Sequence, residues 1–418
     1  MKVLWLSNCT LSNHTSTKSG SWLFAMRDII SHDVNLINIT DDLTVDKITH
    51  KSLEHFEEYI FPHYTLYNGI PRKEDILEIL NIINQISPDI IHIWGTEHYW
   101  ALLQSRGYLQ KWKVVLEIQG LMFSCRNVLQ AGLTSIEIKR CRSLKDFIKP
   151  LSSIRGQHTL FLRAAKYERE ILANCKFIST QSNWTRNQIA LLTQEDAKIY
   201  KTLLPIREEF ILSKKWGLDI GSKRLTIFTS TAYSATFKGL HILIKALKML
   251  KLRYPNCLLK IAGPDLYKRP KWKLSGYEHF LLQMINEYDL INNIQFVGLL
   301  DASQIIDCLL HTNVYINSSF VESYSASTAE ALLLGVPSVL AYSGAMPDFS
   351  DELPVCLYYS PMDYIACAMQ IDRLFREEST RNQLTRNAIE TISKKCDIEN
   401  IRQTQLYIYD NIIKSPHY

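Results

Sequence analysis

Glycine is scarce in this chain, 15 of 418 residues, and no Gly-x-Gly-x-x-Gly run occurs. Without that turn a dinucleotide fingerprint is missing, which argues against a nicotinamide dehydrogenase. The Gly-x4-Gly-Lys-Ser/Thr phosphate loop, the His-Glu-x-x-His zinc helix and the Gly-x-Ser-x-Gly nucleophile turn are absent as well. No Asp-x-Asp occurs either, so no paired carboxylate is offered to hold a divalent cation against a diphosphate. Any diphosphate bound here must be neutralised by protein groups, and neither a metal nor a cofactor is expected. The nine cysteines show no Cys-x-x-Cys spacing and read as reduced, mostly buried thiols. No window reaches the about 18 apolar residues of a membrane span. The start MKVLWLSNCT lacks the parts of a signal peptide, so a cytoplasmic address is expected. A net charge of +5, from 47 Lys and Arg against 42 Asp and Glu, does not suggest a nucleic-acid partner.

What the chain does contain is typical of packed protein: 46% apolar and 21% charged residues over a length that suggests two domains. Short β-branched runs alternate with segments of helical period. Val3–Ser7, Val34–Ile39, Ile90–Trp94, Val114–Ile118 and Phe177–Thr180 read as strands in the first half. Leu225–Thr229, Leu258–Ala262, Ile294–Val297, Val314–Ile316 and Pro337–Ala341 do so in the second. Continuous rather than alternating apolar character belongs to parallel sheets covered on both faces. An α/β protein with two doubly wound, Rossmann-like domains is therefore expected, with ligands beyond the carboxyl ends of the strands and the site in the cleft between the domains. The expected divisions are 1–208, 209–395 and a C-terminal helix over 396–418 that could pack back on the first domain. One stretch without pattern, about 121–156, exceeds ordinary connection lengths and is either functional or mobile.

The segment VYINSSFVESYSASTAEALLLGVPSV carries the most chemistry. A strand, Val314–Ile316, enters a polar loop, a helix follows from about Ser325 to Leu334, and Gly335 suits a left-handed cap. The amides of Ser323, Tyr324, Ser325 and Ala326 can point at an anion at the helix start, aided by the dipole. Glu322 sits in the loop and Glu330 inside the helix, about 10 Å along the axis from Ser323. That pattern suits a ligand with phosphates at one end and sugar hydroxyls at the other, because ionised carboxylates accept hydrogen bonds.

With these motifs the sequence resembles retaining glycosyltransferases of family 4, which have the GT-B fold of two facing Rossmann-like domains. The likeness is tightest over 225–345, through Lys238-Gly239 in TIFTSTAYSATFKGLHILIKAL, LLKIAGPD with Gly263, IQFVGLL, and Glu322 and Glu330 with Gly335-Val336-Pro337. It is looser through PDIIHIWGTEHYW, VVLEIQGL and CKFISTQSNWT. The resemblance implies transfer of a glycosyl group from a nucleotide diphosphate sugar, UDP- or GDP-linked, to an acceptor hydroxyl without metal. It implies that Glu322 meets the donor sugar, Glu330 the ribose and Lys238 the diphosphate, and it puts Gly20, Gln119 and His98 on the acceptor side. Tyr233 stands where the family usually has an Arg, and Gln119-Gly120 where many members have His-Gly. Ser343-Gly344-Ala345 replaces a double glycine, and Asp348 the usual Glu. Base recognition is expected from Ile261–Pro264 and Val297–Leu300. The alternatives are a catalytically silent sugar-nucleotide binder, or another enzyme on the same architecture such as a phosphorylase or an epimerase.

The acceptor is expected to be a saccharide or a lipid-linked saccharide, as in cell-surface polysaccharide or glycolipid synthesis. Residues 126–176 hold eleven cations against four carboxylates, a local excess of +7. This reads either as a solvated helix face or as an electropositive rim for an anionic membrane, which would place the chain peripherally on the inner face of the plasma membrane.

Overall fold

The computed structural model describes residues 1–12, 21–217, 224–231 and 235–416. Two compact units emerge: the first joins Met1–Phe123, Arg163–Pro205 and the chain from Cys396 onward, the second Ser124–Leu162 and Ile206–Lys395. The division expected at 208/209 thus falls at 205/206. The unpatterned stretch goes with the second unit from Ser124, because its side chains close that unit's core: Cys141 and Ile154 pack with Leu240, Leu243 and Tyr277.

The first unit is built on eight strands: β1 (Lys2–Leu6), β2 (Asn35–Asp42), β3 (Thr49–Ser52), β4 (Phe56–Pro62), β5 (Ile90–Trp94), β6 (Val114–Ile118), β7 (Phe177–Thr180) and β8 (Lys198–Lys201). Their order is β3-β4-β2-β1-β5-β6-β7-β8, parallel throughout except that β3 runs antiparallel to β4. All five strands expected here are present, three with the expected bounds and β1 and β2 within one to three residues at their ends. β3, β4 and β8 are additional. THKS and KIYK are short, polar, exposed edge strands without an apolar run, the form in which edges avoid pairing with other chains. The helix Ile398–Lys414 belongs to this unit: the Tyr409 hydroxyl accepts from Trp5 Nε1 at 3.0 Å and bonds His92 Nδ1 at 2.8 Å, while Ile401, Ile408 and Ile412 join the core around Trp5.

The second unit holds six parallel strands, β9 (Thr226–Ser230), β10 (Leu258–Ala262), β11 (Ile294–Gly298), β12 (Val314–Asn317), β13 (Ser338–Ala341) and β14 (Leu357–Tyr359). They lie in the order β11-β10-β9-β12-β13-β14. The order reverses at β9, whose neighbours are β10 and β12, so β9 and β12 flank the switch point where open α/β sheets bind ligands. The helix Leu240–Arg253 follows β9 and buries Leu240, Leu243, Leu247 and Leu250. No disulfide forms, and seven of the nine cysteines are buried. Among the described residues no helix is long and apolar enough to cross a membrane.

Candidate functional site

At the carboxyl ends of β9 and β12 two loops are stitched together. After β9 the chain makes a single 3-10 turn, Thr236–Lys238, and enters its helix through Gly239. Gly239 has φ +71°, and a Cβ there would lie 2.0 Å from the Ser318 carbonyl, so only glycine fits this crossing. Ser318 Oγ donates to the Lys238 carbonyl at 2.9 Å and the Phe320 amide to the Phe237 carbonyl at 2.8 Å. The result is that Lys238 Nζ meets Glu322 Oε1 at 2.7 Å, joining side chains 84 positions apart. Both are about four-fifths covered. The loop after β13 braces the same carboxylate-bearing residue. The Ala345 amide donates to the Glu322 carbonyl at 2.8 Å, and a Cβ on Gly344 would stand 2.3 Å from that oxygen. Of the double glycine expected by resemblance, the position that needs glycine is the one that has it.

The helix observed at Ala326–Leu333 starts one residue later than expected, with Ser325 as its cap: Ser325 Oγ accepts from the Thr328 amide. Asn317, the last residue of β12, donates to Ser325 Oγ and Thr328 Oγ1, both at 3.1 Å, and accepts from the Ser319 amide. Strand end, loop and helix start are thereby one hydrogen-bonded piece, and Ser323, Tyr324, Ser325 and Ala326 lie along it. At the other end Gly335 has φ +78°; its amide and that of Val336 reach back to Leu332 and Ala331, closing a Schellman cap.

Glu330 is buried, and Arg207 Nε donates to its Oε1 at 2.8 Å, with side-chain exposures of 12% and 7%. Burial raises the Glu330 carboxyl above its ordinary range, and the Arg207 charge and hydrogen bond oppose that rise. Arg207 leads into the helix Glu208–Leu212 and lies 4.6 Å over the buried Phe210 ring. Sequence reasoning left Arg207 at the end of the first expected domain, 1–208, and gave it no role. The available signal was Glu330 itself, flanked by Ala329 and Ala331 in an apolar helix, because a buried carboxylate demands a cation from somewhere.

Gly263 sits where β10 ends, with φ +146° and its amide donating to Gly298, and a Cβ would lie 2.3 Å from the Thr231 carbonyl. Ile261–Pro264 and Val297–Leu300 thus come together as the exits of the neighbouring strands β10 and β11. Gly20 and Tyr233 lie outside the described residues.

In the first unit Gln119 and Gly120 follow β6 as expected. His98 is engaged elsewhere: its Nε2 meets Asp41 Oδ1 at 2.9 Å, and His63 Nδ1 holds the other oxygen at 2.6 Å. Burial alone would raise Asp41, but bonds and charges from His98 and His63 outweigh it and hold the carboxyl low. The member of GTEHYW that lies over Gly95, Gln119 and Gly120 is Glu97. Its carboxylate rests so close that a Cβ on Gly120 would be 2.9 Å from Oε1. Neighbouring protein displaces part of its water and raises its carboxyl above the ordinary value, with Glu168 adding to the rise and hydrogen bonds from the Glu97 and Thr96 amides opposing it, while the residue as a whole stays exposed. Glu97 is the second residue that sequence reasoning passed over.

Two Rossmann-like parallel sheets in one chain, with a lysine and a carboxylate converging at the switch point of the second, define the GT-B class. Residues 212–391 match the family model described as Glycosyl transferases group 1. Sucrose-phosphate synthase from Thermosynechococcus elongatus superposes with a TM-score of 0.70 at 15% identity, covering 99% of each chain. HepE of Anabaena, solved with UDP and glucose, gives 0.68 at 14% identity over 98% of this chain and 99% of its own. By sequence, YtcC of Bacillus subtilis, which carries a glycosyltransferase name, is 22% identical over 83% of this chain and 78% of its own. The uncharacterized glycosyltransferase MJ1607 of Methanocaldococcus jannaschii is 20% identical over 90% and 89%.

Proposed function

We propose that this chain transfers a sugar, with retention of anomeric configuration and without a metal ion, from a nucleotide diphosphate sugar to a hydroxyl of a saccharide or lipid-linked saccharide. The observation that carries the reading is the Lys238–Glu322 contact, made where two βα loops are fastened to each other at the sheet's switch point. An ammonium held against a carboxylate is a stand-in for a bound donor: the diphosphate takes Lys238, and the sugar hydroxyls take Glu322. As the glycosidic bond breaks, charge grows on the leaving diphosphate. Fixed donors aimed at that charge, Lys238 and the amides at 323–326, stabilise it without reorganising. Glu330 accepts from the ribose, with Arg207 fixing its direction. The acceptor hydroxyl attacks from the face that the diphosphate leaves, handing its proton to a phosphate oxygen. Glu97 and Gln119, side by side at the ends of β5 and β6, are the groups available to orient an acceptor in the first unit. No cofactor is needed for any of these steps.

Uridine diphosphate sugars are the first donors to try, because HepE was solved with UDP-glucose and a trehalose-6-phosphate synthase with UDP-2-fluoro glucose. Melting the protein with UDP-, GDP-, ADP- and CMP-sugars should show protection by one nucleotide class, about 2.7 kcal/mol at a hundredfold excess over Kd. Transfer should survive chelator, and NMR of the product should show the donor's anomeric configuration. A folded, pure protein that no nucleotide sugar protects would refute the donor site. A role in cell-surface polysaccharide or glycolipid synthesis follows if the acceptor proves to be lipid-linked.

A further inference from the structure

The eleven cations of 126–176 do not gather on one unit. Arg163, Lys166, Arg169 and Lys176 lie in the first, the remaining seven in the second. Within the second unit a sharper surface emerges from two segments far apart in sequence. The helix Leu144–Ile148 packs against the 3-10 turn Lys271–Lys273, which sits in the run Lys268-Arg269-Pro270-Lys271-Trp272-Lys273. Between them is a groove of about 300 Å³ lined by Lys145, Ile148, Lys149, Arg269, Trp272 and Lys273.

Two properties of this surface are unusual together. Its large apolar side chains stand outward: Phe147 is 84% exposed, Ile148 65% and Trp272 59%, with Leu144 and Leu151 beside them. Its acids point inward. Asp146 accepts from the Gly276 amide at 2.8 Å and from Ser152 Oγ at 2.7 Å, fastening the segment to the start of the helix Gly276–Glu287. Glu278 caps that helix through Ser275 and holds Arg269. Lys145, Lys149, Lys271 and Lys273 are left to face outward around the aromatic and aliphatic tips. Isolated exposed apolar residues are ordinary, but a contiguous group ringed by charge of one sign marks an interaction site.

We infer that this face, made by 144–151 and 268–273, docks the protein on the surface of an anionic lipid bilayer. The charge chooses the occupant. Lysine is depleted at protein–protein interfaces, whereas lysines around a tryptophan and a few aliphatic tips suit the headgroup region, where the ring sits and the ammonium groups reach lipid phosphates. The loop 263–275 leaves the carboxyl end of β10, the end of the sheet that also carries Lys238 and Glu322. An acceptor carried by a lipid would then be drawn to the edge of the sheet that holds the donor. The inference stands without the donor-site reading and gives it a source of acceptor.

Cosedimentation with vesicles tests it. The full chain should bind phosphatidylcholine vesicles containing a third phosphatidylglycerol and leave pure phosphatidylcholine in the supernatant, with binding reduced at high salt. Phe147→Asp with Ile148→Asp, and separately Lys145, Lys149, Lys271 and Lys273→Glu, should weaken partitioning more than about a hundredfold while the melting temperature is unchanged. Wild type should show a blue shift in tryptophan emission on anionic vesicles that Trp272→Phe lacks. Equal binding to neutral and anionic vesicles, no binding to either, or variants that bind as wild type would each overturn the inference. Donor protection measured on the same variants keeps the two readings apart: it should persist when the membrane face is destroyed.

Discussion

Lys238 and Arg207 are both cations against a glutamate, and their surroundings assign them opposite consequences. Lys238 and Glu322 keep some contact with water, so Lys238→Ala should leave folding nearly intact and remove a charged hydrogen bond to the donor, roughly 1.5–3 kcal/mol, or about ten- to a hundredfold in kcat/KM. Arg207→Ala strands Glu330 in the interior, a change that costs about 3–5 kcal/mol. Its pH dependence has a definite sign. The folded Glu330 carboxyl already lies above its ordinary value, and losing Arg207 raises it further. The stability it contributes is therefore full below the ordinary carboxylate range and lost as pH rises. Thermal melts of Arg207→Ala should fall furthest short of wild type above neutrality, and adding Glu330→Gln should remove most of that pH dependence. A deficit equal at all pH would mean that Arg207 acts through packing on Phe210 alone.

At the scale of elements, β6 contains a burial that no pattern announces. Glu117 lies wholly inside the sheet, bonded to Ser179 and, at 3.1 Å, to Gln181 Nε2, and burial pushes its carboxyl up to about 8. Since this value exceeds the ordinary carboxylate one, the contribution to stability is complete at low pH and declines as pH climbs toward 8. Glu117→Gln should melt higher than wild type at pH 8, by about 3 °C or more, and nearly equally at pH 5. The strands that could be read in advance were those with apolar runs, because a parallel strand covered on both faces has no alternative composition. β3 and β8 escaped because edges are selected for polarity. The loop that carries Glu322 and the Gly335 cap were legible because a helix start, a cap and a strand exit each impose residue types over a few positions, whereas Lys238 was singled out by the family resemblance alone. Arg207 and Glu97 were not, since each acquires its meaning from a neighbour more than twenty residues distant, and nothing local marks either side chain as the partner.

At the scale of the whole molecule, the first unit depends on chain that returns to it from the end of the second. Removing the chain from Cys396 onward would strip Ile401, Ile408, Tyr409 and Ile412 from the core around Trp5 and unpartner the Trp5 indole. The truncated chain should lose the cooperative melting of the first unit, seen as dye binding to exposed apolar surface, while the second unit keeps its donor-dependent shift. If both units melt as in the full chain, the helix Ile398–Lys414 is dispensable and its burial adds little.

That return has a consequence for how the protein is made. A first unit whose final piece begins at residue 396 cannot close when its own strands have been synthesised; about 190 further residues separate Pro205 from it, roughly 10–40 s at 5–20 residues/s. During that interval the groove awaiting the helix lies open on the nascent chain while the second unit is still being translated. The order of completion is thus inverted, with the unit that starts first finishing last. A chain that stops short of residue 396 lacks Ile401, Ile408, Tyr409 and Ile412, so the core around Trp5 is completed only after the sequence of the second unit has been translated.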